Sequence, residues 1–198
     1  MTGILHCNNP TIRYEQTRNA VEAILLRILS ERLPKTEKPI GYLESCGACA
    51  FCCLMEGMGY LQSKDYFTFP AGTKIQMDDA VMLYLNDPAR GYSTTMRNRA
   101  AIAYVSAAWD LYCVSAKIVE PITFDMIVDE LKKGHGVQFC LDNPGHWLAG
   151  IAYDDIHREV IFMDSWGNRP GLKNGGINER LTESAFSSNV KKFMIVYL

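Results

Sequence analysis

The sequence predicts an α+β fold in which helices come first and an antiparallel sheet follows. Apolar residues recur at helical spacing in five segments: 11–33, 46–59, 77–86, 97–113 and 123–133. Four later segments are rich in β-branched and aromatic residues, as strands are: 136–142, 146–154, 159–166 and 191–198. Helices that precede a run of strands, rather than alternating with them, indicate an α+β fold.

The helix boundaries follow from residues that start or stop helices. Pro34 ends the first helix, and Gly59 is a suitable stop for the second. The second helix is apolar nearly all round, so we expect it to be buried. Asp78 suits the first turn of the third helix, because a carboxylate favours a helix N-terminus. Thr123 is the predicted N-cap of the last helix, and Gly134 follows its end.

The length and charge of the chain restrict its organisation and its partners. A chain of 198 residues fits a single domain, with a helical extension at 1–40, a helical part at 41–135 and an antiparallel sheet at 136–198. The net charge of −2 gives no basic surface for nucleic acid. No apolar run is long enough to span a membrane, and no Sec-type signal is present, so we expect a cytoplasmic protein as synthesised. The sequence does not indicate an oligomeric state.

The segment "ESCGACAFCC" places four cysteines in eight positions. Cys46 and Cys49 have the spacing of a zinc knuckle, but a structural zinc site needs a second pair at a distance, and the sequence offers none. A thioredoxin-like redox motif needs a preceding strand, and "KPIGYLES" is a poor strand. We therefore predict no metal and no cofactor. Cys52 and Cys53 are interpreted as core residues, as are two further cysteines: Cys113 and Cys140.

One set of residues has the composition of a thiol catalyst. Such a catalyst needs an ionisable sulfur, a base within hydrogen-bond reach, and a group that orients the base. Cys46 precedes the buried helix, and His146 opens a predicted strand. Asp164 ends the next strand, 18 residues after His146, and an antiparallel hairpin of this length brings the two side by side.

In these segments the sequence resembles the papain-like cysteine peptidases, most closely the bacteriocin-processing (double-glycine leader) peptidases and their free-standing relatives. The matching motifs are "CGACAFCCLMEGMG", "ITFDMIVDELKKGHGVQFCL", "GHWLAGIAYD" and "MDSWGN". The resemblance covers about 44 to 198, although 60–115 carries no matching motif. It implies a papain-like fold with a cleft between the helical part and the sheet. It also implies Cys46 as nucleophile, His146 as general base and acid, and Asp164 as the residue that orients His146.

Two points stay open within this resemblance. Papain itself has Cys-Gly-Ser-Cys with the second cysteine catalytic, so "CGAC" leaves Cys49 as an alternative nucleophile. The family also has a glutamine about six residues before the nucleophile as an oxyanion donor, which this sequence lacks. Gln62, Tyr42 or a main-chain N–H would have to replace that glutamine. Trp166 is expected to shield the histidine and aspartate from water, or simply to fill the core.

The expected function is hydrolysis of a peptide or isopeptide bond by a cysteine peptidase without a cofactor. Its substrate would be a peptide, a protein or peptidoglycan, as for a bacterial or phage processing protease or a cell-wall endopeptidase delivered with a phage particle. An alternative is a papain-like binding module that has lost turnover, for which the missing glutamine is the argument. A zinc-binding scaffold is a third class and rests on the cysteine cluster alone.

Overall fold

The structure is a computed structural model that describes residues 4–6, 46–61, 66–68, 74–85, 97–142, 145–166 and 170–198. The helices are α1 (Cys46–Gly57), α2 (Met77–Leu85), α3 (Arg97–Tyr112), α4 (Phe124–Lys132) and α5 (Glu183–Asn189). The strands are β1 (Ile4–His6), β2 (Tyr66–Thr68), β3 (Lys74–Gln76), β4 (Ala116–Val119), β5 (Gly136–Leu141), β6 (His146–Asp154), β7 (Glu159–Met163), β8 (Glu179–Thr182) and β9 (Val190–Tyr197). The predicted helix at 11–33 lies outside the described residues.

Seven strands form one antiparallel sheet in the order β4-β9-β5-β6-β7-β8, with β1 beside β6. The long strand β6 pairs with β5 over its first half, where Val137 faces Gly150. Over its second half it pairs with β1, where Leu5 faces Tyr153. The other edge of β6 pairs with β7 from Ala149 to Asp154. Strands β2 and β3 form a separate hairpin. Strand β6 therefore lies near the centre of the sheet, and it begins at His146.

Helices cover both faces of the sheet, and each face has its own hydrophobic core. One core packs α1, α2 and α3 against residues such as Ala149, Ile195 and Tyr197. The other packs α4 and α5 against residues such as Phe139 and Met194. Because helices cover both faces of the sheet, the side chains on both sides of an inner strand are buried. All six residues of β5 are buried for this reason.

Helix α1 is buried from Cys46 to Met55, as its apolar composition predicts. Phe51 is at the centre of an aromatic cluster, with ring centroids 6.0 Å from Tyr104, 5.9 Å from Tyr112 and 5.6 Å from Tyr197. Aromatic pairs at these separations stabilise a core beyond the area that they bury. This cluster fixes α1 between the sheet and α3.

The α+β class is confirmed, and the described helices and strands at the predicted positions agree within a few residues. Thr123 is the N-cap of α4, because its side chain accepts a hydrogen bond from the Met126 N–H. In the described ranges no helix has the length and apolar character needed to cross a bilayer.

The structure differs from the sequence prediction in a few places. Strand β4 lies within the stretch that was assigned to the helical part, and it pairs with the C-terminal strand β9. A strand this short gives little periodicity, so only its pairing defines it. Strand β8, helix α5 and the hairpin of β2 and β3 were also not predicted. The prediction that Cys113 is buried was wrong: it follows the end of α3, has a positive φ of 56° and is exposed. Cys140 is buried, as predicted.

We expect Gly47→Ala to destabilise the protein. A methyl group there would overlap the Tyr104 hydroxyl and lie 2.7 Å from Tyr104 Cζ. Glycine to alanine inside a helix normally stabilises by about 1 kcal/mol, whereas overpacking a core costs about 1–3 kcal/mol. Urea unfolding should therefore give a net loss, and the loss should shrink when the change is made in a Tyr104→Phe background. An increase in stability in both backgrounds would contradict this packing.

Candidate active site

The structure brings His146 and Asp164 into direct contact. His146 is the first residue of β6, and Asp164 directly follows β7. The antiparallel register pairs Ala149 with Met163, so the chain beyond these residues runs side by side. His146 Nε2 lies 2.7 Å from Asp164 Oδ1, and both side chains are buried. The sequence spacing of 18 residues therefore corresponds to a hydrogen bond across one hairpin.

Hydrogen bonds to neighbouring backbone groups hold Asp164 in place. Its Oδ1 also accepts a hydrogen bond of 2.8 Å from the backbone N–H of Trp166. Its backbone N–H donates to the carbonyl oxygen of Gly176 at 2.9 Å. The Trp166 ring is half-buried and lies edge-to-face with His146, at a centroid distance of 6.0 Å. A carboxylate with two donors is stabilised in its charged form despite full burial.

The loop that contacts Asp164 is organised by a second buried carboxylate. Glu179 Oε1 accepts hydrogen bonds from the backbone N–H groups of Asn174 and Gly176, and its Oε2 accepts one from Lys173. Three charge-assisted bonds to one short loop fix its shape. The Gly176 carbonyl that receives the Asp164 N–H is therefore set by Glu179, a residue that no sequence pattern indicated.

His146 is electrostatically coupled to both Asp164 and Cys46. Burial by itself lowers the pKa of His146, because it disfavours the charged imidazolium. Side-chain hydrogen bonds with Asp164 and with Cys46 oppose burial and, with the negative charge on these groups, raise the pKa from 6.5 to about 9. Because Asp164 holds Nε2, the ring nitrogen left for Cys46 is Nδ1. The three predicted residues therefore meet in space.

Cys46 and Cys49 differ in access and surroundings. Cys46 is the first residue of α1 and keeps 7% of its surface exposed, whereas Cys49 is fully buried. Cys49 Sγ lies 3.5 Å from Oδ2 of Asp78, on the first turn of α2. Asp78 is itself only 2% exposed. Cys46 is thus directed toward His146, and Cys49 contacts a buried carboxylate.

A buried glutamine ties the first turn of α1 to the sheet. Gln138 Nε2 donates to the carbonyl oxygen of Gly47 at 3.1 Å, and Gln138 Oε1 accepts from the Tyr197 hydroxyl. Gln138 is fully buried, and its strand β5 lies beside β6, which carries His146. This contact fixes Gly47, and with it Cys46, relative to His146. The signal that sequence analysis missed was a lone polar residue in the apolar strand "GVQFCL".

The oxyanion donors are only partly described. The backbone N–H of Cys46 belongs to the first turn of α1, where N–H groups have no intrahelical acceptor. Gln62 and Tyr42, the expected second donors, lie outside the described residues. The Gln138 amide donates to the carbonyl oxygen of Gly47, so the contact observed for it anchors α1.

Among the described residues, one group has ligand atoms close enough together for a metal ion: Asp154, His157 and Glu159. Arg180 Nη1 lies 2.8 Å from Asp154 Oδ2 and 2.7 Å from Glu159 Oε2. The positive guanidinium therefore already contacts an oxygen of each carboxylate. The cysteines of α1 do not belong to that group.

We expect Gln138→Leu to lower the free energy of unfolding by about 1–3 kcal/mol, because it leaves the buried Tyr197 hydroxyl without its acceptor. The double variant with Tyr197→Phe should lose less than the sum of the single variants, since it removes both polar groups. Chemical denaturation of the four proteins measures this coupling. Strictly additive losses would contradict the hydrogen bond.

No protein-family model matches the chain, and no curated protein matches it. Among solved structures, one with some likeness is xylellain, a cysteine protease from Xylella fastidiosa. It has a TM-score of 0.36 and 14% sequence identity, and the alignment covers 98% of this chain and 85% of that chain. A TM-score this low does not demonstrate a shared fold, so the function has to be argued from the geometry of Cys46, His146 and Asp164.

Proposed function

We propose that this protein is a cysteine peptidase or amidase with a papain-like arrangement, in which Cys46 is the nucleophile, His146 the general base and acid, and Asp164 the residue that orients His146. The observation that carries the proposal is the buried 2.7 Å hydrogen bond between His146 Nε2 and Asp164, with Cys46 hydrogen-bonded to the same imidazole. A buried pair of ionisable groups beside a cysteine at a helix N-terminus is a costly arrangement that catalysis explains.

The resting state in this proposal is a thiolate beside an imidazolium. The raised pKa of His146, about 9, supports a protonated ring at neutral pH. The N-terminal end of α1 carries partial positive charge, which stabilises an anionic sulfur. Asp164 stabilises the imidazolium and holds Nε2, so that Nδ1 is directed toward Cys46.

Acylation begins when Cys46 Sγ attacks the carbonyl carbon of the substrate and a carbon–sulfur bond forms. The carbonyl oxygen becomes an oxyanion, and the Cys46 backbone N–H donates to it. The carbon–nitrogen bond then breaks, and the leaving amine takes the proton from His146 Nδ1. The product is a thioester on Cys46.

Deacylation uses the same groups in reverse. A water molecule attacks the thioester carbon while His146 Nδ1 accepts its proton. The carbon–sulfur bond breaks, the carboxylic acid leaves, and the thiolate and imidazolium are restored. The half-buried Trp166 ring packs edge-to-face against His146 and, in this proposal, shields the His146–Asp164 hydrogen bond.

Cys46 is a better candidate than Cys49 for the nucleophile. Cys46 has a small exposed surface and contacts His146, whereas Cys49 is fully buried against Asp78. The substrate class that we propose is a peptide, a protein or the peptide part of peptidoglycan, because each offers the amide bond that this chemistry cleaves.

We expect the protein to cleave members of a diverse peptide library or the cross-links of purified murein, with products identified by mass spectrometry. Cys46→Ser should abolish turnover, and His146→Gln should lower the rate by about 10²–10⁴-fold. Cys49→Ser is the matched control, because serine keeps a donor for Asp78, and it should retain activity.

Two results would contradict the proposal. Loss of activity in Cys49→Ser with retention in Cys46→Ser would make Cys49 the nucleophile. Absence of cleavage in both substrate sets, together with tight binding of either, would support a binding module that has lost turnover.

We expect the His146 imidazole to titrate near pH 9 in an NMR titration, with its resonance assigned from His146→Gln. Asp164→Asn should lower that midpoint by about 1–3 pH units, because it removes the carboxylate that favours the imidazolium. A pKa that is raised on folding adds stability below pH 6.5, and that stability is lost as the pH rises to about 9. An Asp164→Asn midpoint equal to that of the wild type would contradict the coupling.

A further inference from the structure

Hydrolysis leaves two buried groups without a role, Cys49 and Asp78. Cys49 Sγ lies 3.5 Å from Asp78 Oδ2, and both residues are almost completely buried. A buried thiol beside a carboxylate is not needed to fill a core, because alanine or valine would pack without the cost of burying a charge. The carboxylate is positioned to accept the thiol proton of Cys49, which turns a buried thiol into a nucleophile when one is required.

Cys49 lies within about one helical turn of Cys46, Cys52 and Cys53, and Cys46 is the one that interacts with His146. Cys46 and Cys49 are three residues apart at the start of α1, and such residues lie on the same side of a helix with Cβ atoms about 5–6 Å apart. A disulfide needs Cβ atoms about 3.5–4.5 Å apart. The first turn of a helix has N–H groups without intrahelical acceptors, so it adjusts by about 1 Å more easily than a central turn.

We propose that Cys46 is a site of reversible oxidation by hydroperoxides, and that Cys49, with Asp78 as its base, converts the oxidised Cys46 into a Cys46–Cys49 disulfide. This inference rests on the proposed function, because it requires the Cys46 thiolate beside His146.

Oxidation takes place at the Cys46 sulfur. The Cys46 thiolate attacks one peroxide oxygen, the O–O bond breaks, and the sulfur is oxidised by two electrons to a sulfenic acid. The hydroxide that leaves takes the proton of the His146 imidazolium and becomes water. One oxygen of the peroxide is then on Cys46, and His146 is neutral.

The resolving step uses the buried pair. Cys49 gives its proton to the Asp78 carboxylate and attacks Cys46 Sγ, so that a sulfur–sulfur bond forms and the sulfur–oxygen bond breaks. The hydroxide that leaves takes the proton from Asp78 and becomes a second water. A dithiol reductant returns both cysteines to thiols and is itself oxidised to a disulfide. The cycle switches hydrolysis off and prevents irreversible oxidation of Cys46 to sulfinic acid.

The test treats the protein with one equivalent of hydrogen peroxide at neutral pH and follows its intact mass and its peptide map. The wild type should lose two hydrogens, yield a peptide with Cys46 linked to Cys49, and recover its thiols with dithiothreitol. Cys49→Ser should instead gain one oxygen on Cys46, trapped by dimedone. Asp78→Asn should form the disulfide about 10²-fold more slowly. Cys52→Ala, which changes a buried cysteine of the same helix, should behave as the wild type.

Each variant is compared at equal folded fraction by circular dichroism, and Cys49→Ser and Asp78→Asn test the resolving pair independently. Sulfinic acid on Cys46 of the wild type without a cross-link would overturn the inference, as would a wild-type rate in Asp78→Asn.

The alkylation rate of reduced Cys46 by iodoacetamide, with His146→Gln as its control, separates the two proposals. Fast alkylation that needs His146, without a cross-link, overturns only the disulfide. Alkylation no faster than that of an ordinary thiol overturns the proposed function and this inference with it.

Discussion

The burial of one apolar helix fixes where the candidate nucleophile lies relative to the histidine and aspartate on the sheet. Helix α1 is buried from Cys46 to Met55, with Phe51 against three tyrosine rings and Gly47 against the Tyr104 hydroxyl. Because a packed helix cannot turn or slide without opening cavities, its first residue has a fixed position relative to the sheet. The hydrogen bond from Gln138 to the Gly47 carbonyl oxygen adds a polar contact at the N-terminal end of the helix, one residue after Cys46.

The site also has to stabilise charged groups that are buried away from water. Asp164 is fully buried, and it accepts hydrogen bonds from His146 and from the backbone of Trp166. The loop that receives its own N–H is shaped by Glu179, a further buried carboxylate whose oxygens are occupied by backbone donors. Low local polarity strengthens each of these contacts and makes the loss of any one of them costly. This is why the His146 imidazolium persists to a high pH although burial opposes it.

The cysteines of α1 have separate functions in this account. Cys46 contacts the histidine, Cys49 contacts a carboxylate, and Cys52 and Cys53 contribute to the core. A histidine that takes and returns a proton suits repeated acyl transfer, whereas a buried aspartate suits the single deprotonation of a resolving thiol. The two proposals therefore place two chemistries of sulfur on one turn of helix, separated by the side chain that each sulfur faces.

The sequence by itself determined four of the helices and the four longest strands, because hydrophobic period and capping residues act locally. The helices near 46–57, 77–85, 97–112 and 124–132 and the strand that begins at His146 were all predictable in this way. The meeting of His146 with Asp164 also followed from the sequence, since one antiparallel hairpin separates them. The pairing of β4 with β9, the anchor formed by Gln138, the carboxylate beside Cys49 and the loop around Glu179 were decided only by the tertiary structure. Each of these joins residues with no local pattern in common, and in the Gln138 anchor the two partners are 91 residues apart.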